Sequence, residues 1–214
     1  MKGIFITGTD TGVGKTYFTA LLTRLLRKQG IPAIALKPVA SGDRSDAVTL
    51  AEAMGGALSV PMINPIHFSK PLAPYTAGML ENRPFPWDQL RSHWRRISDS
   101  YPGPFLVEGV GGWRVPMDSS HTVREWAQEL GLAVLVVCRA NLGTLNHTLL
   151  TVDSIRQTGL PVPGVVMNFH AVPEDDAART NPGILEEWSK LPVARLPAGA
   201  TAWEIPVWLR RVLT

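Results

Sequence analysis

The sequence predicts an α/β fold, a mainly parallel sheet with helices on both faces, in a single domain spanning residues 1–214. Short apolar runs alternate with stretches of helical periodicity, as they do in strand–helix–strand units. A glycine-rich turn separates the first apolar run from the first helical stretch. The length of 214 residues suits one domain, and 45% hydrophobic beside 18% charged residues is typical of a globular chain.

Spacing and capping signals predict the individual elements. Lys15 to Gln29 carries leucines on one helical face and ends at Gly30, a common helix terminator. Further helices are predicted over residues 46–54, 87–98, 122–130, 145–157 and 174–190. Strands are predicted over residues 3–6, 33–36, 105–107, 133–138 and 162–167. The proline-rich segments 61–74 and 84–86 are predicted to be surface loops that cover the ligand-binding edge of the sheet.

The turn TGTDTGVGKT, residues 7–16, is typical of a P-loop, the turn that holds the phosphates of a nucleotide. Its glycines leave backbone N–H groups free to point at phosphate oxygens. Lys15 supplies a positive charge for the β- and γ-phosphates, and the Thr16 hydroxyl can ligate Mg²⁺. The strict motif requires glycine at position 9, where this chain has Thr9 preceded by Gly8. We therefore predict a protein that binds a nucleoside triphosphate.

Polar residues follow three other apolar runs, at Lys37, Glu108 and Asn168. Because ligands bind at the carboxyl ends of strands in an open α/β sheet, we expect these residues to lie near the P-loop. Lys37 would neutralise charge on a transferring phosphoryl group and on an attacking anion. Glu108 occupies the place of an acidic Mg²⁺ ligand, and the glycines after it allow close approach of backbone to ligand. Asp46 has two interpretations, a helix N-cap or a second carboxylate near Mg²⁺.

Composition and charge exclude several classes of protein. The net charge of +3 is small and gives no case for nucleic-acid binding, and Arg91, Arg95 and Arg96 are expected on a solvated helix face. No apolar stretch approaches the roughly 20 residues that span a bilayer. The first six residues are too short for a signal peptide, so a cytoplasmic location is expected.

Cysteine and histidine usage indicates neither a thiol nucleophile nor a histidine-based metal site. Cys138, the single cysteine, ends an apolar run, which favours a buried, inert thiol. The five histidines are scattered without the spacing of four residues that places two ligands on one helical face. The expected chemistry is therefore that of phosphate groups and a hard cation.

The motifs together resemble those of the dethiobiotin synthetase family. GTDTGVGKT at 8–16, KPVASG at 37–42, VEGVGGWRVP at 107–116, the Asn-His pair at 146–147 and Asn168 follow the family's order. Members are homodimeric, ATP-dependent ligases of biotin synthesis that close a ureido ring on 7,8-diaminopelargonate with CO₂. The resemblance implies ATP as co-substrate, Mg²⁺ as cofactor, and a route through a carbamate and a carbamic–phosphoric anhydride.

The resemblance also implies roles for individual residues. Lys37 and Lys15 would be catalytic, and Asn168 would bind the nucleotide base. The implied nucleotide-binding set is Gly12, Val13, Gly14, Lys15, Thr16, Tyr17, Asp46, Glu108, Gly109, Val110, Gly111, Asn168, Pro197, Ala198, Gly199 and Glu204. Within it, the implied Mg²⁺ ligands are Thr16, Asp46 and Glu108. The implied substrate contacts are Thr11, Ser41 and Gly111 from one subunit and Gly143, Thr144 and Asn146 from its partner, where a helix N-terminus would bind the substrate carboxylate.

The chain departs from the family pattern at several positions. Many members carry glutamate where this chain has Gly12, so no acidic role transfers there. Members commonly have Pro-His where this chain has Pro74-Tyr75, which affects the expected substrate cover over 71–79. The C-terminal third matches the family at Asn168, Pro197 and Glu204.

Two other classes of protein share this kind of P-loop. ATP-dependent amidotransferases of the cobyrinic acid amide synthase type append a glutaminase domain with a catalytic cysteine, whereas this chain ends at Thr214 and Cys138 ends an apolar run. ParA/MinD-like ATPase switches carry a signature lysine that would fall at position 10, where this chain has Asp10. A dependence of ATP turnover on a diamine and bicarbonate distinguishes the ligase from both.

Overall fold

The computed structural model describes residues 2–172 and 175–214. Its strands within these residues are β1 (Gly3–Gly8), β2 (Ile34–Leu36), β3 (Val39–Ser41), β4 (Ile66–Phe68), β5 (Phe105–Gly112), β6 (Ala133–Arg139), β7 (Val165–Asn168) and β8 (Val193–Leu196). The helices are α1 (Lys15–Lys28), α2 (Ser45–Ala53), α3 (Val60–Ile63), α4 (Pro74–Leu80), α5 (Trp87–Ser100), α6 (Val123–Leu130), α7 (Thr144–Arg156), α8 (Asp176–Ser189) and α9 (Val207–Leu213).

Six strands form one parallel sheet in the order β2-β5-β1-β6-β7-β8. Every residue of β1 is buried, and six of the seven residues of β6 are buried as well. Because alternate residues of a strand point to opposite faces, this pattern requires cover on both faces of the sheet. The predicted parallel sheet with helices on both faces is therefore confirmed.

Local signals explain most of the element boundaries. Helix α1 ends before Gly30, which has a left-handed φ of 77°. Helix α6 begins after Thr122, whose backbone N–H and hydroxyl both donate to the Glu125 carboxylate at 2.6 and 2.7 Å. The last long helix was predicted from Glu174, a residue outside the described ranges, and the described part begins at Asp176.

The prediction of proline-rich surface loops is wrong for much of 61–74. This segment contains most of α3, all of β4 and the first residue of α4, and β4 pairs with β3 in a small parallel sheet. Pro61 and Pro74 lie in the first turns of α3 and α4, where a missing N–H costs no helical hydrogen bond. The segment is therefore part of the folded body.

Three other elements differ from the prediction. Strand β5 continues through Glu108 to Gly112 instead of ending at Val107, because Glu108 still pairs with Ile6 of β1. Strand β8 and helix α9 were not predicted, although Leu209 of α9 packs in the core.

Cys138 is fully buried, and burial raises the pKa of its thiol to about 11.

Within the part of the chain that the structure describes, no helix has the length and apolar character needed to cross a membrane.

Candidate active site

The P-loop connects the carboxyl end of β1 to the first turn of α1. Gly12 and Gly14 have left-handed φ angles of 72° and 97°, which L side chains rarely adopt. A Cβ atom at Gly14 would also overlap Nδ2 of Asn168. The backbone shape therefore favours glycine at both positions, and close packing requires it at Gly14.

Lys15 lies in the first turn of α1 and is nearly buried. Its Nζ donates a hydrogen bond of 3.0 Å to the carbonyl oxygen of Asp10, across the loop. Burial, and next the neighbouring Lys37 ammonium, lower the pKa of Lys15 to about 8. A bound polyphosphate would replace Asp10 as its partner and favour the charged form.

Lys37 lies directly after β2 and is the centre of a polar cluster in which Lys37 and Glu108 are buried and Asp46 is partly exposed. Its Nζ is 2.6 Å from Oε1 of Glu108 and 2.8 Å from Oδ2 of Asp46. The hydroxyl of Thr16 donates to the same Glu108 oxygen at 2.7 Å. The structure thus brings together the catalytic lysine and the three Mg²⁺ ligands that the sequence predicted separately.

The charges in this cluster stabilise one another. Burial alone would lower the pKa of Lys37, but the carboxylates of Glu108 and Asp46 outweigh it and raise that pKa. Burial of Asp46 opposes ionisation, yet the Lys37 ammonium holds the pKa of this carboxyl below its usual value. Lys37 therefore remains a cation held between two carboxylates.

The interpretation of Asp46 as a helix cap is wrong. Helix α2 begins at Ser45, so Asp46 is its second residue, and it is the Asp43 carboxylate that accepts from the backbone N–H of Ser45, at 2.9 Å. The Asp46 carboxylate instead turns toward Lys37.

The backbone of Lys37 is held by Asn64, which sequence reasoning missed. Asn64 is fully buried, and its Nδ2 donates to the carbonyl oxygens of Lys37 and Ile66, each at 2.9 Å. Its Oδ1 accepts from Nε of Arg44 at 3.0 Å. A buried amide between two structural segments has no signature in a single sequence, because its partners are defined only by the fold.

A cleft of about 670 Å³ opens over the cluster and the P-loop. The predicted substrate residues Thr11, Ser41 and Gly111 line it together with Lys15 and Lys37. Oγ of Ser41 is buried and has no hydrogen-bond partner in the described ranges. A Cβ atom at Gly111 would lie 2.7 Å from the Val115 side chain, so a larger residue would distort this wall.

Gly109 and Val110 differ in their surroundings. Val110 lines the main cleft. A Cβ atom at Gly109 would lie 3.1 Å from the ring of Phe5 in the core, so packing accounts for this glycine. The two residues are neighbours in β5, and successive side chains of a strand point to opposite faces.

Asn168 ends β7 and is buried against the P-loop. Its Nδ2 donates to the carbonyl oxygen of Val13 at 3.0 Å, and its Oδ1 accepts from the backbone N–H of His170 at 3.0 Å. The amide still has a second N–H with which it can donate to a ligand. Asn168 therefore has a structural role that the sequence did not predict, beside its predicted role at the base.

Two of the other predicted nucleotide contacts line a second cavity. Pro197 and Ala198 line a cavity of about 460 Å³ with Phe169. The Tyr17 hydroxyl donates to the carbonyl oxygen of Ala200 at 2.9 Å, which ties α1 to this turn. Two further residues of the predicted nucleotide-binding set follow. Gly199 lies in the turn with a φ of 64°, and Glu204 is exposed. Tyr17 thus contacts the turn at 197–200 and also lines the main cleft.

The predicted carboxylate contacts lie at the amino end of α7. Gly143 and Asn146 are exposed, as is the neighbouring Leu142 at 84%. The Thr144 side chain is buried, and its hydroxyl lies 3.5 Å from that of Thr148. The prediction concerns the backbone N–H groups of this helix end, so burial of the Thr144 side chain does not contradict it, and the contact stays a prediction.

Arg139, the last residue of β6, is a further site residue that sequence reasoning missed. Its guanidinium donates to the carbonyl oxygen of Gly12 from Nε at 3.2 Å and from Nη2 at 2.7 Å. The rule that singled out Lys37 and Asn168, a polar residue at the end of a strand, also applies to it. The signal was present, since Arg139 directly follows the predicted strand 133–138, but the rule was not applied to this strand.

Comparisons with known proteins show the family to which this chain belongs. A family model described as an AAA domain matches residues 2–199. The ATP-dependent dethiobiotin synthetase of Anaeromyxobacter dehalogenans is 43% identical over 180 residues, which cover 82% of this chain and 80% of that protein. The corresponding protein of Akkermansia muciniphila is 37% identical over 213 residues, covering 99% of this chain and all of the relative.

Solved structures show the same fold at low sequence identity. The cell division ATPase MinD of Pyrococcus furiosus superposes with a TM-score of 0.57 at 16% identity, covering 92% of this chain and 84% of that one. Since similarity at this level concerns the fold alone, it carries no functional assignment.

Proposed function

The chain belongs to the family of ATP-dependent dethiobiotin synthetases, and from this premise we propose that it closes the ureido ring of dethiobiotin on 7,8-diaminopelargonate. Carbon dioxide supplies the carbonyl carbon, and ATP is converted to ADP and phosphate. Biotin synthesis is the pathway that uses this product. We further propose a cytoplasmic location, where ATP and Mg²⁺ are available.

The proposed reaction has three steps, each of which gathers negative charge. One amine of the substrate adds to CO₂ and loses a proton, which gives a carbamate. A carbamate oxygen then attacks the γ-phosphorus of ATP, ADP leaves, and a carbamic–phosphoric anhydride remains. Finally, the second amine attacks the carbonyl carbon and phosphate leaves, which closes the ring. No side chain is required as a nucleophile.

One observation carries the proposal: Lys37 and Lys15 line the same cleft as Thr11 and Ser41. A buried ammonium is worth more to a developing anion than an exposed one, because water does not screen it. We propose that Lys37 stabilises the attacking carbamate and that Lys15 stabilises the leaving polyphosphate. The two residues would also hold the reactants close together, which is a large part of catalysis for phosphoryl transfer.

The oxygen atoms beside Lys37 fit a bound Mg²⁺. Thr16, Asp46 and Glu108 offer the hard donors that this ion prefers, and Oε2 of Glu108 is buried without a hydrogen-bond partner in the described part of the chain. When bound, the ion would neutralise charge shared between the β- and γ-phosphates. The three side chains would hold it in the cleft that Lys15 also lines.

We also propose that the substrate carboxylate binds at the amino end of α7 in a partner subunit. Two features support this arrangement. Gly143 and Asn146 are exposed at the positive end of the helix dipole, where anions are stabilised. Two apolar side chains are exposed here, Leu142 at 84% just before the helix and Leu150 at 63% within it, and exposed apolar surface is typical of an interface. A homodimer would then contain two shared sites.

Turnover of ATP by the purified protein tests the proposed function. Phosphate should form only when both 7,8-diaminopelargonate and bicarbonate are present, with one dethiobiotin for each phosphate. Lys15→Ala should lower kcat/KM by about 10²–10⁴, whereas Lys28→Ala, at an exposed position on the same helix, should not. Steady ATP hydrolysis without the diamine would contradict the ligase and favour an ATPase switch.

A further inference from the structure

Arg139 donates two hydrogen bonds to one carbonyl group of the P-loop. Its Nε and Nη2 lie 3.2 and 2.7 Å from the oxygen of Gly12, which is 127 residues distant in the sequence. Its side chain is otherwise exposed and lines a small cavity of about 150 Å³ beside the P-loop. The structure gives this arginine no carboxylate partner within the described ranges.

This contact orients a peptide group. In a trans peptide, the carbonyl oxygen and the following N–H point in opposite directions. Because the Gly12 oxygen points to Arg139, the N–H of Val13 points to the other side of the loop. Gly12, Gly14 and Lys15 line the main cleft on that side. The positive guanidinium also polarises the peptide and makes its N–H a stronger donor.

The next peptide of the loop is held in the same way from the neighbouring strand. Nδ2 of Asn168 donates to the Val13 oxygen at 3.0 Å, which directs the N–H of Gly14 away from Asn168. Arg139 and Asn168 are paired residues at the carboxyl ends of β6 and β7. The parallel register therefore delivers two donors to two successive carbonyls.

We propose that Arg139 is a positioning residue that sets the P-loop backbone for the β-phosphate, acting through the Gly12–Val13 peptide. It would act on nucleoside di- and triphosphates and leave the diamine untouched. Without the contact from Arg139, the Gly12–Val13 peptide would sample orientations in which the Gly12 carbonyl oxygen repels the phosphates. The residue would thus organise the site before the nucleotide binds.

Binding of ADP, measured calorimetrically without diamine or bicarbonate, tests the proposal independently of the ligase chemistry. Arg139→Met removes the donors and keeps much of the side-chain volume, and we expect the Kd for ADP to rise about tenfold or more. The Kd for AMP, which lacks a β-phosphate, should change less than about threefold. In steady state, the KM for ATP should rise and the KM for the diamine should not.

Arg139→Lys separates charge from geometry. Lysine keeps the charge but lacks the two-pronged donor group, so we expect it to recover only part of the affinity for ADP. The matched control is Arg91→Met, since Arg91 makes a two-pronged contact with Glu129 on the surface of α5 and α6. The control should bind ADP as the parent does.

Several results would overturn the proposal. Parent-like affinity for ADP in Arg139→Met would mean that the contact positions nothing. Full recovery in Arg139→Lys would assign the effect to charge alone. A loss confined to ATP would indicate direct contact with the γ-phosphate, and a loss confined to the diamine would indicate a substrate contact.

Chemical rescue distinguishes the loss of the guanidinium group from a folding defect. Because Arg139 is exposed, its variants should melt within a few degrees of the parent. Addition of methylguanidinium to Arg139→Ala should restore part of the affinity for ADP, since the free cation can occupy the vacated space beside Gly12. Absence of rescue, with parent-like affinity in Arg139→Met, would reject the role of the guanidinium.

Discussion

Lys37 and Glu108 form a buried ion pair, with 2.6 Å between Nζ and Oε1, beside the P-loop. The strand register creates this pair, because Leu36 of β2 pairs with Val107 of β5 and the two charged residues come next. It joins the lysine proposed to stabilise the attacking carbamate to a proposed Mg²⁺ ligand. Neither residue can therefore be changed without affecting the other.

Removal of the lysine should expose this dependence. Lys37→Met leaves Glu108 buried without its cation, and we expect a loss of about 3–5 kcal/mol in the free energy of unfolding. Mg²⁺ should recover part of this loss by replacing the missing charge. Urea titrations with and without Mg²⁺ measure both effects, with Lys28→Met as an exposed control. A variant as stable as the parent would contradict the buried pair.

Loss of a carboxylate should weaken Mg²⁺ binding. Glu108→Gln and Asp46→Asn should each raise the Mg²⁺ concentration needed for half-maximal activity, because a neutral amide is a poorer ligand for a hard cation. Glu52→Gln, on the exposed side of α2, serves as the control. If only Glu108→Gln shows the effect, Asp46 stabilises the Lys37 ammonium and does not ligate the metal.

Asn168 should contribute to nucleotide binding in two ways. Asn168→Ala removes the donor to Val13 and the free N–H proposed to meet the base, so ATP binding should weaken by about 1–3 kcal/mol. Loss of the P-loop contact affects all nucleoside triphosphates, whereas loss of the base contact affects ATP most. Affinities for ATP and CTP measured in parallel separate the two, and parent-like binding of both would remove Asn168 from the site.

A shared site at the dimer interface predicts complementation between two inactive chains. Asn146→Glu sets a negative charge against the substrate carboxylate and should raise the KM for the diamine strongly, with ATP binding nearly intact. Mixed with Lys37→Ala, it should recover about a quarter of parental activity, since half the dimers are mixed and one site in each is intact. No recovery in proven heterodimers would contradict the shared site.

The position of Asn146 matters for this test. The neighbouring Thr144 is buried, so an acidic side chain there would disturb the core instead of probing the substrate. Helical periodicity predicts a helix here but does not fix its rotation about its axis to within one residue. That rotation is defined by packing of Thr144 and Thr148 into the body of the protein.

Local patterns account for what could be predicted from the sequence. The P-loop, the long helices and the polar strand ends at Lys37, Glu108 and Asn168 depend on neighbouring residues in the chain. Strand β4 was not predicted because the prolines around it indicated a loop, and strand β3 was not predicted because its three residues, unlike those of β2, do not form a clearly apolar run. The contact of Arg139 with Gly12 is likewise invisible in the sequence, since strand order and register create it.

The path of oxygen from CO₂ tests the central claim most directly, that a carbamate attacks the γ-phosphate in this site. With ¹⁸O-labelled bicarbonate and unlabelled water, the proposed steps transfer one labelled oxygen to phosphate and leave one in the ureido carbonyl of the product. Mass spectrometry of both products in a single turnover gives the answer. We predict one ¹⁸O in each. Unlabelled phosphate formed together with labelled dethiobiotin would contradict the attack of the carbamate on ATP.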